Sequence, residues 1–430
     1  MSVVLKKNPK IFIGVTEVAG YFQNLFLGFI ELGYSVGYLN VNTFRFNYDS
    51  YRSNNHPVLN FLMDLAKSTS EKNNSIINIY YKFCKLLIFI WCLYKYDTFI
   101  FGVGSSFFRY RDYYILKLFR KKIIHISLGS DSRPSYLNGT YKDDKKGLID
   151  LISYFRVKNV EILNNLNYVE KFADVIINYP QIAHFHTRTF IDGNFIGFPT
   201  IFSDNRVEYK DANSSVRILH APTRPLGKGS LILKEVIRSL EKKGYNIEYI
   251  EITNKTNFEV INEIKKADIV LDELYSDVPL GGLGAEAGYY GVPVVVSGYY
   301  ANQICKKEYD NIPPSTYCLP DDIQDELEKL IKNKQYRIQK GMELNAFLRD
   351  NWDCKLVAQK YLSIINGDIP PEWYFDNTQI NYTQGWGLSE KEVKNNIKGM
   401  VNRYGKEGLC LSKNPKAEKI FLHFAFGSND

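Results

Sequence analysis

The segment 267–296 holds the residues whose types and spacing suit chemistry best. Gly281, Gly282 and Gly284, then Glu286 and Gly288, stand between two short apolar runs, 268–271 and 292–296. Glycine-rich turns leave backbone N–H groups uncovered, and a helix starting there adds the partial positive charge of its first turn. A diphosphate fits such a place. Glu286, on that first turn, has the acceptor oxygens that ribose hydroxyls need. The same residues also suit a tightly packed strand-to-helix loop without a ligand, and the turn alone does not choose between them.

Such a turn needs strands to carry it, and the chain supplies two series of them. Apolar runs of strand length occur at 11–15, 35–39, 98–103, 123–128 and 174–178, with helix-length segments between, the first over 20–32. After a lapse in the apolar pattern at 197–215, ending in a linker-like Asp211-Ala-Asn-Ser-Ser, a second series runs through 217–219, 247–250, 269–271 and 293–296. Its intervening helices are expected at 231–243 and 258–266. Strands separated by helices predict mainly parallel sheets covered on both faces. In such sheets ligands bind beyond the carboxyl ends of the strands. The glycines at 20, 129, 229 and 281–284 all follow predicted strands and are expected to converge on one cleft between two domains. Residues 321–345 and 352–365 read as closing helices. Beyond Gly367 the pattern changes, and Ser389 with Glu390 and Glu392 marks a capped helix start. The expected domains are 1–205, 212–366 and a small helical extension, 367–430.

The motifs resemble one family. Glu286-Ala-Gly-Tyr-Tyr-Gly291-Val-Pro-Val-Val is similar to the E-A-x-x-x-G-x-P-V-V segment of retaining nucleotide-sugar glycosyltransferases, family 4 in particular, which have two Rossmann-like domains (the α/β GT-B fold). Upstream, Val216-Arg-Ile-Leu-His220-Ala-Pro-Thr-Arg-Pro-Leu-Gly-Lys228-Gly229 resembles the strand–loop–K-G segment that opens that family's C-terminal domain. Tyr96 to Gly104, with His125-Ile-Ser-Leu-Gly129-Ser-Asp131-Ser-Arg133-Pro, resembles a G-S-D-x-R loop of some N-terminal domains. The three segments follow the family's order over roughly residues 10–365.

The resemblance implies roles. Lys228 matches the lysine that holds the donor diphosphate, and Glu286 matches the second acid of an E-x7-E pair, the one that holds the ribose. Val278 stands where the first acid belongs, so its neighbour Asp277 is the candidate for the donor sugar's hydroxyls. Gly20, Gly229, Gly281, Gly282, Leu283 and Gly284 line the donor side. Thr223 falls at the usual arginine position, with Arg224 one residue off. Gly129, Ser130, Asp131 and Arg133 are candidate cleft residues near donor or acceptor, with Glu17 a further acid; Asp131 and Arg133 equally suit a structural turn and ion pair. Leu128 replaces the histidine found in many relatives, and His125 lies three residues earlier. The implied reaction is transfer of a sugar from a nucleotide-sugar donor to a glycan or lipid-linked glycan acceptor. It proceeds with retention, without a fixed metal or separate cofactor. A bacterial surface polysaccharide is the expected product. A non-catalytic partner subunit and a sugar-nucleotide epimerase share the architecture and stay open.

Composition narrows the rest. At 430 residues the chain exceeds one compact core. The 32 tyrosines and 27 phenylalanines read as a compositional habit more readily than as ligand-stacking residues. Six cysteines without C-x-x-C spacing point to reduced thiols and a cytoplasmic protein. His184-Phe-His186 has no evident third metal ligand. The run into Ile11 is too short for a secretory signal core. The apolar stretch 86–94 is about half the length needed to cross a bilayer. The net charge of +7 concentrates in 108–122, where Arg and Lys alternate with Tyr, Phe, Leu and Ile. Such a helix either packs on the sheet with its charges in water or lies on an anionic membrane. No nucleic-acid recognition motif accompanies it.

Overall fold

In a computed structural model of the protein, the residues described are 8–41, 52–72, 75–102, 104, 106–144, 150–202, 215–304 and 311–427. Two compact units emerge, and they interleave along the chain. The first comprises Met1–Ser132, Val160–Ile201 and Asp353–Ile380; the second comprises Arg133–Asn159, Phe202–Trp352 and Asn381–Asp430. The contiguous ranges expected from the sequence are therefore not the compact units. In particular, 367–430 is not one appendage, because its first part groups with one unit and the remainder with the other. The linker expected at 211–215 lies outside the described residues except for Ser215, as do Val103 and Cys305.

The first unit is built on β1 (Ile11–Val15), β2 (Val36–Asn40), β3 (Thr98–Gly102), β4 (Lys122–Ile126), β5 (Val175–Asn178) and β6 (Phe190–Asp192). They pair in parallel in the order β6-β5-β4-β3-β1-β2. A two-residue strand, Tyr374–Phe375, adds antiparallel to β6. These strands are short and apolar throughout because both faces are covered. The abundant aromatics are core here: Phe12 packs on Phe99, Phe101 and Phe107 at ring-centroid distances of 5.2–6.1 Å, and Phe107 in turn meets Phe89 at 5.1 Å.

The first helix, Tyr21–Glu31, buries Phe22, Leu25, Phe26 and Phe29. A late helix, Cys354–Asn366, covers it, and Tyr21 and Tyr361 share a hydrogen bond of 3.1 Å. That helix ends on Gly367 in the left-handed region, and the Lys122 ammonium donates to the carbonyls of Ile364 and Ile365. This satisfies last-turn acceptors that lack intrahelical donors.

The second unit carries β7 (Val216–His220), β8 (Ile247–Glu251), β9 (Ile269–Leu271), β10 (Val294–Ser297) and β11 (Thr316–Cys318), all parallel, in the order β11-β10-β9-β7-β8. Ile218, Ile269, Leu271 and Val295 on its strands pack with Leu233, Ile237 and Leu240 of the helix Ser230–Lys242, and with Leu327 and Leu330 of Ile323–Lys332. The helical run expected over 321–345 breaks at Asn333, whose side chain accepts from Tyr336 N and starts a new helix, Lys334–Asn351. Ser389 and Glu392 form the capping box that begins Glu390–Tyr404.

The tightest helix contact in the first unit sits at Gly28, where an added Cβ would lie 2.1 Å from the Cys354 carbonyl oxygen. Gly28→Ala is therefore expected to lower stability by about 1–3 kcal/mol. Urea denaturation followed by circular dichroism would measure it, and an unchanged midpoint would refute the close packing.

Candidate functional site

In the second unit, the two segments singled out by sequence meet at the carboxyl ends of β7 and β9. His220 ends β7 and is fully buried. Its Nδ1 lies 2.9 Å from the Leu271 carbonyl oxygen and its Nε2 2.9 Å from Ser230 Oγ. A carbonyl only accepts, so Nδ1 carries the proton and Nε2 accepts from the serine hydroxyl. Burial pulls the imidazole down to about 4, so the ring is neutral at pH 7. One ring thus fixes β7, β9 and the start of Ser230–Lys242.

The loop after β7 turns through Lys228 and Gly229, with Gly229 in the left-handed region against Leu274. Lys228 reaches back over the end of β9, where its ammonium lies 3.1 Å from both Asp272 and Glu273. Burial works against the ammonium charge, but the two carboxylates outweigh it and hold Lys228 above its usual range. Glu273 is pushed up by burial, which the Lys228 charge opposes. Its other oxygen accepts from the Trp386 indole N–H at 2.7 Å. Trp386 is held in its turn: its N donates to Leu137 O, its O accepts from Gly139 N, and its ring lies where a Gly227 side chain would be.

The glycine turn packs against the same acid. A Cβ on Gly281 would meet Asp272 Oδ2 at 2.9 Å, and one on Gly284 would meet it at 3.2 Å. These glycines let the turn close over the carboxylate that Lys228 holds. The helix Gly282–Tyr289 starts there, so the first-turn N–H groups of Gly282, Leu283 and Gly284 have no intrahelical acceptor by construction. Gly288 serves packing, because its Cβ would strike Leu344 and Leu348. Glu286 is partly buried and accepts from Asn257 Nδ2 at 2.6 Å. Burial raises its carboxyl to about 7, against that hydrogen bond and with the Asp272 charge adding to the rise.

Four more of the expected residues have the following surroundings. Asp277 is buried in an ion pair with Arg133, so the candidate for sugar hydroxyls and a candidate cleft residue hold one another. Thr223 is exposed. Arg224 pairs with Asp144 at 3.2 Å while both are largely in solvent. Beside it, the Asp143 carboxylate accepts from Leu226 N and Gly227 N at 3.0 and 2.8 Å. The chain's own acid thus fills the loop donors that an anion would otherwise take. Sequence reasoning missed Asp143 and Trp386, which lie 84 and 113 residues from Gly227 and Glu273. Only a fold could bring them in.

In the first unit, Gly20 starts the helix Tyr21–Glu31 in the left-handed region. Glu17 is buried and accepts from Val18 N, Phe22 N, Gln23 N and the Tyr38 hydroxyl. Burial raises its carboxyl against these bonds. Glu17 therefore caps a helix start rather than presenting a free acid. Past β4, Ser130 is exposed beside Gly129. Asp131 is different: its side chain is 8% exposed, and neither oxygen has a hydrogen-bond partner among the described residues. The His125 Nε2 is 3.8 Å away, and Tyr113 OH shares a 3.0 Å hydrogen bond with the other ring nitrogen. Burial lowers the His125 imidazole. A buried carboxylate left without donors is costly, which marks Asp131 as the polar group of this unit most open to a ligand hydroxyl. His186 pairs with Glu170, and no group of three or more metal-ligating side chains occurs among the described residues.

No protein-family model matches the chain, and no curated protein matches it. Among solved structures, Anabaena HepE in complex with UDP aligns at 12% identity over 83% of this chain and 100% of its own, with a TM-score of 0.47. A sucrose-phosphate synthase from Thermosynechococcus elongatus aligns at 11% identity over 84% and 99%, with a TM-score of 0.48. The lipopolysaccharide outer core galactosyltransferase WaaB aligns at 11% identity over 84% and 99%, with a TM-score of 0.44.

The raised Glu286 carboxyl has a pH signature. Unfolded, the group releases its proton near the usual 4.5; folded, it does so near 7. Between those values the folded state holds the extra proton, so its stability falls as pH rises. Glu286→Gln is expected to remove this fall, worth at most roughly 3 kcal/mol. Urea midpoints of both proteins across that window would check it, and parallel curves would rule the shift out.

Proposed function

We propose that the chain is a glycosyltransferase that takes a sugar from a nucleotide-diphosphate donor. The observation that carries this reading is the meeting of Lys228, Asp272 and the Gly281–Gly284 turn beyond the carboxyl ends of adjacent parallel strands. Breaking an anomeric bond to a diphosphate builds negative charge on the leaving group, and a buried ammonium beside uncovered helix-start N–H groups stabilises that charge. Asp143 already occupies Leu226 N and Gly227 N. The diphosphate is therefore assigned to Lys228 and to the N–H groups of Gly282, Leu283 and Gly284. Glu286 is assigned to the ribose hydroxyls. Retention, independence from a metal, a glycan or lipid-linked acceptor, a role in bacterial surface polysaccharide synthesis and a cytoplasmic location complete the proposal.

One arrangement favours a second reading. Two carboxylates share the single Lys228 ammonium, and Asp277 is tied to Arg133. A non-catalytic partner subunit would tolerate both. The readings separate in a binding screen against UDP-, GDP-, CDP- and dTDP-sugars: a transferase binds one class and loses it in Glu286→Ala, whereas the partner subunit binds none. With the donor known, Lys228→Ala and Glu286→Ala are each expected to lower turnover about 100-fold or more with the fold intact. Wild-type rates in both would remove the site assignment.

Charge balance at Lys228 yields a further expectation. A diphosphate arriving beside Asp272 and Glu273 favours protonation of Glu273, which burial has already raised. Donor binding should take up a proton and weaken as pH rises. Titration calorimetry in two buffers of different ionisation enthalpy reads that uptake directly; identical heats would exclude it.

A further inference from the structure

The helix Ser75–Lys95 in the first unit is apolar on two opposite sides. One side is buried through Cys84, Ile88, Phe89, Cys92 and Leu93. The other exposes Ile76, Ile79, Tyr80, Phe83, Leu86, Leu87, Ile90 and Tyr94, each between 42 and 78% accessible. Those positions recur at three- and four-residue steps, so they form one stripe along the helix, roughly 27 Å from end to end at 1.5 Å per residue. A solvated helix face carries charges at such positions; this one carries rings and branched chains. The stripe continues sideways, where Tyr94 meets Phe119 edge-on at 6.5 Å and Leu118 and Tyr114 are also exposed.

Cations surround it. Lys82 is exposed on the same helix, and Lys95 lies 4.8 Å from the Trp91 ring centre. Arg109, Arg111 and Arg120 are exposed around the neighbouring helix Arg111–Leu118. Between Ser75 and Lys122 the only acids are Asp97 and Asp112. Asp112 is buried, accepting from Ser106 and from the N–H groups of Phe107 and Phe108. An apolar stripe rimmed by basic residues is complementary to anionic lipid, where headgroups meet the cations and acyl chains meet the stripe.

By length and composition the helix is long and apolar enough to cross a bilayer, but its packing argues against crossing. Phe89 stacks into the Phe107–Phe12 cluster over β1, and β3 begins three residues after Lys95. A helix fixed along one side to the sheet can only lie flat. We propose that Ser75–Lys95, with the basic segment around Arg111–Leu118, is a monotopic docking surface for an anionic membrane. It rests on nothing in the nucleotide site.

The test uses the full chain in sedimentation with vesicles of phosphatidylcholine alone or mixed with phosphatidylglycerol. Salt-sensitive binding to the mixed vesicles is expected, at least tenfold weaker in the triple variant Ile79→Ser, Phe83→Ser, Leu86→Ser and in Arg109→Glu/Arg111→Glu. Circular dichroism and nucleotide binding report that each variant remains folded, and they fail or succeed independently of the membrane result. Absence of binding to either vesicle overturns the proposal, as does binding that the triple variant retains. Sedimentation equilibrium covers the other occupant: a wild-type dimer that the triple variant dissolves, without vesicle binding, assigns the stripe to a second copy of the chain.

Discussion

The site in the second unit depends on one buried, uncharged imidazole. His220 donates to the carbonyl that ends β9 and accepts from the hydroxyl that starts Ser230–Lys242, so three elements share one rigid connector. Charging the ring would turn Nε2 into a donor facing Ser230 and place a cation near Lys228. Burial prevents that at neutral pH. The Lys228 loop leaves β7 from this point and Asp272 leaves β9 from it, which is why their side chains meet.

A second theme is the pairing of carboxylates with backbone donors. Glu17 sits on the start of Tyr21–Glu31, Asp143 on the loop before Lys228, and Asp272 beneath the Gly281–Gly284 turn. Each place is one where aligned N–H groups and helix dipoles favour an anion. The chain supplies its own anion at the first two. The Gly282–Tyr289 start, like that of Ser230–Lys242 just after Lys228, has no side-chain cap, so its first-turn donors are left for phosphate recognition.

Much of this was legible beforehand. The apolar runs at 11–15, 269–271 and 293–296 mark strands because residues buried on both faces leave no polar positions. That the Lys228 loop and the Gly281–Gly284 turn follow strand ends was legible because a turn conformation restricts residue type locally. The roles of Asp277 and Glu17 were not, since an acid in a loop reads the same whether it faces a ligand or a neighbouring side chain; only burial and partners distinguish them. Trp386 and Asp143 reach the site across long stretches of chain, beyond any local pattern. The stripe on Ser75–Lys95 is longer than the apolar stretch 86–94 suggests, because polar residues interrupt the apolar run before it while the helix itself begins at Ser75. The compact units differ from the contiguous ranges for a related reason. Apolar periodicity reports elements and says nothing about which unit a late helix joins.

That late joining bears on how the chain is made. Tyr21 shares its hydrogen bond with Tyr361, 340 residues further along the chain, and Gly28 packs on Cys354. At translation speeds of about 5–20 residues per second, the first helix waits for tens of seconds for that partner. The first unit is therefore completed only once Asp353–Ile380 has been made. Until then one side of Tyr21–Glu31 lacks its cover, the kind of transiently exposed apolar surface that chaperones hold during synthesis.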